Sequence, residues 1–447
     1  MSQEITARDV AARVLYRVDH EQAWASACLD AELGRARLDV RDAALAAQIV
    51  YGSLRVLPSL DAVVDPFLRR GPKGLDPFLR AVLRVAAYQL LHLSRVPPHA
   101  IVDAAVTHAR RERGKGPSGF VNAVLRKVAA QRPKQPAPPD RLVLDAALSA
   151  ALARSLDPER IARFLSSRPR PPTLDLRVTG GDDASAALSA RILEAFPRAQ
   201  IQPGSLLSSA LRLRGVGDPR KLPGYAEGLF AVQEEGSQWV AAALGARPGE
   251  RVLDACAGRG GKTLALAQAV GDSGRIVALD LYEPRLEQMQ DERARLGIDE
   301  QIIECKAVDL TVGLGDVTGE FDRILVDAPC SGLGTIHRRP DILLRHRERG
   351  LKKLARTQGA ILERVACCLA PGGRLIYAVC SPMREEGAAV VDGFAARHPE
   401  LTRRALPLAP PPADADLVHR LGPWWAPAEA DGTDAYQVFC FERVAAK

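Results

Sequence analysis

Between Pro248 and Val379 short apolar runs alternate with longer amphipathic stretches, and that alternation leaves few folds open. The runs are Arg251 to Leu253, Arg275 to Leu279, Gln301 to Glu304 with a continuation to Val308, Arg323 to Val326, and Arg374 to Val379. Apolar runs of this length, bounded by charges and turn residues, read as buried strands. Strands separated by helical stretches imply crossover connections, hence a doubly wound parallel sheet. A long amphipathic helix is expected from Leu351 to Leu369, stopped by Pro371-Gly372-Gly373, and Tyr436 to Phe441 reads as a final strand. In open sheets of this kind ligands sit at the carboxyl ends of the strands. Here Asp254, Asp280, Asp309 and Asp327 follow the first four strands in turn.

Two thiols occupy the same kind of position. Asp327 is followed by Ala328, Pro329 and Cys330, and the proline ends ladder pairing while holding the residue before it extended. The last of the five strands runs into Cys380, Ser381 and Pro382, so two thiols at two strand ends are expected to face one cleft. An isolated intracellular cysteine is ordinarily a small buried hydrophobe; Cys367 and Cys368 are expected to be core or boundary residues, and Cys440 to serve packing. Eight cysteines without regular spacing argue against a disulfide scaffold, and no CxxC pair or Cys/His cluster suggests zinc. Together with a start that lacks an apolar run (MSQEITARDV), this predicts a reduced, cytoplasmic protein without a membrane span.

The first strand leads into DACAGRGGKT, Asp254 to Thr263, whose glycines let a ligand approach backbone at a helix start. Three adenine-ribose ligands compete for it. A phosphate-binding loop of the Walker type requires glycine where Cys256 stands, and a dinucleotide fingerprint requires glycine where Thr263 stands. S-adenosylmethionine carries no phosphate and needs only the glycine loop and a carboxylate for the ribose, a place Asp280 suits, with Asp309 placed to accept from the adenine amino group. Four strand-end carboxylates match a cationic sulfonium better than a phosphate.

The segment from Met1 to Arg132 reads as all helical. Val10, Val14, Leu15 and Val18 recur at helical spacing, as do Leu79, Val82, Leu83, Ala86 and Leu90. Asp76-Pro77 and Val96-Pro97-Pro98 suit helix starts, and Ser118 is expected to cap a last helix. This segment holds 20 Lys and Arg against 13 Asp and Glu, which accounts for the whole net charge of +7. Its cationic clusters, Arg69, Arg70 and Lys73, then Arg110, Arg111, Arg113 and Lys115, are either solvated helix faces or a polyanion-binding surface. A proline-rich stretch, Gln131 to Asp140, reads as a semi-rigid linker. Beyond it, a strand at Thr173 to Val178, a helix at Ala184 to Ala195 and a strand near Leu211 to Leu213 suggest a small α+β module, with Tyr225 to Leu244 leading into a helix.

Carbon 5 of cytosine is a poor nucleophile until a thiolate adds at carbon 6. The enamine so formed accepts a methyl group at carbon 5, and loss of the carbon-5 proton expels the thiolate. Such chemistry requires a cysteine beside the ring, a carboxylate near its amino edge, and an extruded or single-stranded base.

The words DACAGRGGKT, ALDLYEPRLEQ, DAPCSGLGTIHRRPDI and LAPGGRLIYAVCSPMREEG resemble the RNA cytosine-5 methyltransferases. VYGSLR, LRVAAYQLLHLSRVPPHAIVDAAV and GFVNAVLRKV resemble the NusB-type RNA-binding bundle, and the combination resembles the Sun/Fmu, or RsmB, type that modifies small-subunit (16S) ribosomal RNA. The resemblance implies a multidomain chain: an all-α NusB-like domain over 1–132, a linker and connecting helices over 133–165, a small α+β RNA-binding module over 166–235, and a Rossmann-like methyltransferase domain over 236–447. It implies S-adenosylmethionine as cofactor, RNA as partner and a monomer. Cys380 matches the family's nucleophile and Cys330 its second cysteine, which assists product release; residue chemistry alone leaves that choice open, since DNA enzymes use the cysteine of a Pro-Cys pair. Cys256, Ala257, Gly258, Arg259, Gly260, Gly261, Lys262, Asp280, Arg285, Asp309 and Asp327 match its cofactor positions, and Lys262 and Asp327 also orient the cytosine. The chain departs from the family pattern at Gly258 and Arg259 (usually Ala and Pro), Val379 (Thr), Gly387 (Asn) and Thr179 (Asn), none of which removes a catalytic group. A transfer-RNA methyltransferase of the same class, an RNA-binding protein with an inactive second half, and an ATPase built on the GGKT sequence are the competing expectations.

Overall fold

The computed structural model describes residues 5–68, 71–137, 141–166, 172–336, 338–345, 348–408 and 433–444. The chain divides into two units, one made of residues 1–150, 161–171 and 336–346, the other of 151–160, 172–335 and 347–447. Among the described residues no single helix is long and apolar enough to cross a membrane.

The first unit is helical, and its helix starts follow from the local chemistry. α1 (Ala7–His20) opens with a capping box: Thr6 Oγ1 accepts from the Asp9 N–H, and the Asp9 carboxylate accepts from the Thr6 N–H. It is followed by α2 (Ala25–Ala36), α3 (Val40–Arg55) and α4 (Leu57–Val64). α5 (Pro77–His92) starts where Asp76 caps the Leu79 N–H at 2.9 Å, and α6 (Pro98–Arg113) starts on the expected proline pair. Every position of the two periodic patterns is buried, so the apolar stripes do form the core. Gly52 in α3 is required by packing, because a Cβ there would collide with the Tyr88 hydroxyl of α5.

α7 (Lys115–Ala130) begins a turn earlier than the serine suggested. Gly114, at φ 89°, breaks α6 and lets the next helix start at Lys115. Ser118 therefore lies inside the first turn and donates to the Lys115 carbonyl instead of capping. Of the expected cationic clusters, Arg69 and Arg70 lie outside the described residues. Arg111 pairs with Asp9 and Glu112, and Arg113 pairs with Asp76 and stands over the Phe78 ring, while Arg110 and Lys115 are exposed. Residues 336–346, which share a sequence word with Cys330, fold within this unit. There Asp341 accepts from the Ala25 N–H at the start of α2, and Arg345 stacks 3.7 Å from the Trp24 ring centroid. Of the linker, residues 138–140 lie outside the described residues, and Ala137 is held by His92 through its carbonyl. Two short helices follow, α8 (Ala146–Ser155) and α9 (Pro158–Ser166).

The second unit holds two sheets. The smaller comprises β1 (Leu174–Val178), β2 (Gln200–Pro203), β3 (Ala210–Arg214) and β4 (Phe230–Val232), antiparallel in the order β2-β3-β1-β4. α10 (Gly181–Ala195) covers it, packing Leu188 and Ile192 against Leu176, Leu211, Leu213 and Phe230. The stretch expected simply to lead into a helix is divided: β4 closes the small sheet, and Glu234 then caps α11 (Glu235–Ala243) through the Gly236 and Ser237 N–H groups.

The larger sheet alternates with helices as expected: β5 (Arg251–Asp254), α12 (Gly261–Val270), β6 (Arg275–Asp280), α13 (Glu283–Arg295), β7 (Ile303–Ala307), β8 (Phe321–Asp327), α14 (Glu348–Ala366), β9 (Leu369–Val379) and α15 (Ala388–Arg397). β10 (Leu401–Arg404) and β11 (Gln437–Arg443) complete the order β10-β11-β9-β8-β5-β6-β7. The sheet is mixed instead of wholly parallel, because β11 runs antiparallel to both β9 and β10. Pro371-Gly372-Gly373 does not stop the long helix, which ends at Ala366; it lies inside β9, where the pairing with β8 shifts register between Phe321 and Arg323.

Candidate active site

The parallel run β9-β8-β5-β6-β7 puts five carboxyl ends side by side. Read along that edge, the side chains are Cys380 after β9, Asp327 closing β8 with Cys330 three residues beyond, Asp254 closing β5, Asp280 closing β6, and Asp309 two residues beyond β7. Sequence-distant residues thus become neighbours through strand order alone.

The two thiols meet. Cys330 Sγ lies 3.3 Å from Cys380 Sγ, and both cysteines are half-buried and free of disulfides. Contact with Cys380, burial, and the nearby Glu386 carboxylate together push the Cys330 thiol well above its usual range. Either sulfur can donate in this pair. Beside it, Lys262 Nζ donates to Asp327 Oδ2 at 2.6 Å and stands 5.5 Å from the Tyr436 ring centroid. Burial opposes the lysine charge, yet Asp327, Cys380 and Asp254 outweigh it and hold the ammonium more firmly than usual. An anion, Glu386, thus acts on one sulfur and a cation, Lys262, on the other.

The loop from Cys256 to Gly261 is shaped by Asp254 and Asp280. Asp254 is buried at the β5 terminus, accepts from Thr263 Oγ1 at 2.7 Å, and is pushed up to about 6 by that burial. Burial and the surrounding carboxylates also raise the Cys256 thiol far above its usual range. Asp280 Oδ2 accepts from the Gly258 N–H at 3.0 Å, Oδ1 from the Tyr282 N–H at 2.9 Å, and Arg285 approaches Oδ1 at 3.5 Å. Gly260 takes φ 85°, and a Cβ on it would collide with the Met289 side chain, so the tight turn into α12 needs glycine. A Cβ on Gly258 would meet nothing within 4 Å, so the loop has an open side there. Ala257 is buried, whereas Arg259 and Gly261 are exposed. Asp309 is exposed and accepts from the Thr311 N–H and hydroxyl, bonds that lower its carboxyl.

This donor set suits a ligand with hydroxyls and a positive centre: carboxylates line the edge, each with spare lone pairs, beside an open glycine loop. It suits a nucleoside triphosphate poorly, because the lysine that would meet phosphate is tied to Asp327. S-adenosylmethionine fits the site on that chemistry.

One residue of the site, Glu386, has no mark in the sequence around it. It is fully buried and accepts from the Ser331 N–H at 2.7 Å, from the Ser331 and Ser381 hydroxyls at 2.5 Å each, and from Gln358 Nε2 at 3.2 Å. The signal that could reveal it is a repeated Cys-Ser pair, Cys330-Ser331 and Cys380-Ser381, each presenting a hydroxyl that needs a partner once buried.

The family described as 16S rRNA methyltransferase RsmB/F matches residues 241–415, and the NusB family matches residues 5–130. Ribosomal RNA small subunit methyltransferase B of Pseudomonas putida is 34% identical over 401 residues, covering 88% of this chain and 89% of that protein. A probable ribosomal RNA small subunit methyltransferase B of Bacillus subtilis is 30% identical over 402 residues, covering 88% and 89%. Among solved structures, that of PH0851 superposes with a TM-score of 0.79 at 22% identity, covering 98% of this chain and 99% of that one.

Proposed function

Because the chain belongs to the RsmB/F family of small-subunit ribosomal RNA methyltransferases, with a NusB-family domain ahead of its S-adenosylmethionine-dependent catalytic sheet, we propose that it methylates carbon 5 of one cytosine in 16S ribosomal RNA through a covalent cysteine adduct. The observation that carries this reading is the pair of thiols 3.3 Å apart, one beside an anion and the other beside a cation. S-adenosylmethionine, when bound, supplies an electrophilic methyl group.

The chain's own residues supply the rest. Asp327 and Lys262 meet the amino and carbonyl edge of an extruded cytosine, which aligns carbon 6 with Cys380. The Cys380 thiolate forms a bond to carbon 6, and the carbon 5–carbon 6 π pair becomes available at carbon 5. Once carbon 5 is methylated, its proton leaves to a base, the C–H pair restores the double bond, and the carbon 6–sulfur pair returns to Cys380. Cys330, held as a thiol, donates a hydrogen bond to the departing Cys380 thiolate and so favours release. The NusB-like unit, which holds the chain's excess positive charge, contributes RNA affinity instead of chemistry.

Bisulfite sequencing of ribosomal and transfer RNA from a strain lacking the gene tests this reading. Loss of a single 5-methylcytosine from 16S RNA is the expected result. A loss confined to transfer RNA, or no loss at all, overturns it.

A further inference from the structure

A buried carboxylate without a cationic partner is an expensive way to join two loops. Glu386 is fully buried, and among the described residues its side chain makes no ion pair. An unpaired buried carboxylate costs several kcal/mol unless hydrogen bonds compensate it. Four donors do so here, and two of them are the hydroxyls of the residues that follow the two cysteines. Gln358 also donates to the Pro329 carbonyl at 3.0 Å, and the Tyr377 hydroxyl donates to the Glu386 carbonyl at 2.6 Å. The carboxylate, its own backbone and the stretch ahead of Cys330 are therefore pinned by one network reaching from α14 to β9.

Given the two-thiol scheme above, we propose that Glu386 is a positioning residue that sets Cys330 against Cys380, fixing the sulfur separation through Ser331 and Ser381. A neutral acceptor could tether two serines. What a full negative charge adds is an asymmetry between the sulfurs, since it opposes ionisation of Cys330 while Lys262 stands beside Cys380. The hydroxyls of the two serines, 3.0 Å apart on a shared acceptor oxygen, carry the constraint from one strand end to the other. Among the described residues Glu386 makes no hydrogen bond to either sulfur, and it acts through the serines.

The test reads thiol geometry separately from methyl transfer, in the full chain. In RNA-free protein, diamide removes two electrons and two protons from the thiol pair and leaves a Cys330–Cys380 disulfide, whose rate of formation is followed by mass spectrometry. In parallel, a labelled RNA fragment with S-adenosylmethionine gives the rates at which the denaturant-stable adduct forms and decays. Glu386→Gln, which also eases ionisation of Cys330, is expected to slow adduct decay at least tenfold, with the midpoint of thermal unfolding within a few degrees of wild type. The double variant Ser331→Ala/Ser381→Ala keeps the charge but removes both hydroxyl tethers; it is expected to slow disulfide formation at least fivefold, and it carries the test if Glu386→Gln does not fold. Rates within twofold of wild type in whichever variant folds overturn the proposal. If wild-type protein forms no RNA adduct, the two-thiol scheme fails, and the disulfide rates still decide the positioning role.

Discussion

The hydroxyls of Ser331 and Ser381 lie 3.0 Å apart although 50 residues separate them in the chain, and both donate to the buried Glu386. Each serine directly follows a cysteine at the end of one of two adjacent parallel strands, β8 and β9. The distance between the two sulfurs is thus set by a contact one residue downstream of each. Strand register brings the loops together, and the serine–carboxylate network fixes how far apart their first residues sit.

Substitution of each thiol separates the two halves of the proposed reaction. Cys380→Ala is expected to abolish both methyl transfer and any RNA adduct stable to hot detergent, since no other step makes that bond. Cys330→Ala is expected to permit attack and methylation but to stall release, so that a covalent complex dependent on S-adenosylmethionine accumulates. A denaturing gel with labelled RNA reads both. Adduct with Cys380→Ala and none with Cys330→Ala would exchange the two roles.

The catalytic sheet is legible in the sequence because its strands are buried on both faces and so read as continuous apolar runs. Pairing direction is not legible. Nothing local in β11 records that it runs against β9, and β10 has the pattern of a short edge strand, with Arg403 and Arg404 exposed. β4 has no periodic signal because its three residues, Phe230 to Val232, are too few for one. The thiols and the four strand-end carboxylates stand out through their positions in the pattern. Glu386 does not, because a carboxylate in a polar sequence (Arg384-Glu385-Glu386) reads as solvated until its donors are located in space. Nor does a cationic run reveal which of its members are already spent on ion pairs, as Arg111 and Arg113 are.

Asp280 organises the glycine loop through the Gly258 N–H and is the residue proposed to take the cofactor's ribose. Asp280→Ala should weaken S-adenosylmethionine binding by about 1–3 kcal/mol, the scale of a lost charge-assisted hydrogen bond with a partner left unpaired. Titration calorimetry showing wild-type affinity would remove Asp280 from the site.

Within the cationic cluster of the helical unit, Arg110 and Lys115 are the members left exposed without an ion pair among the described residues. Neutralising these two should weaken RNA binding and reduce the slope of log K against log salt by roughly 0.7–0.9 for each phosphate that is no longer neutralised. S-adenosylmethionine affinity should be unchanged. Arg111→Ala should instead lower the stability of the helical unit, since it exposes the Asp9 charge. An unaltered salt slope in the Arg110/Lys115 variant would make this face a solvated one.

His108 gives the helical unit a distinct acid response. It is buried, with Nδ1 3.1 Å from Asp9 Oδ1 and its ring edge-on to Phe78. Burial lowers its pKa to about 4, against the pull of Asp9 and Glu112 and aided by Arg111 and Arg13. The unfolded chain takes up this proton near pH 6.5, the folded unit only near pH 4, so between those values the unfolded state binds more protons. The stability this residue contributes is complete above pH 6.5 and is lost as the pH falls toward 4, by about 3 kcal/mol over the full interval. Asp9, whose carboxyl is lowered by His108, Thr6 and Arg111 despite its burial, loses its contribution only at more acid pH, below the ordinary aspartate range. His108→Gln keeps a donor for Asp9 but removes the titration. Hydrogen exchange of the α1 and α6 amides, corrected for the intrinsic rate, should show protection falling between about pH 6.5 and 4.5 in wild type and much less in the variant. Equal loss in both proteins would assign the acid response to other groups.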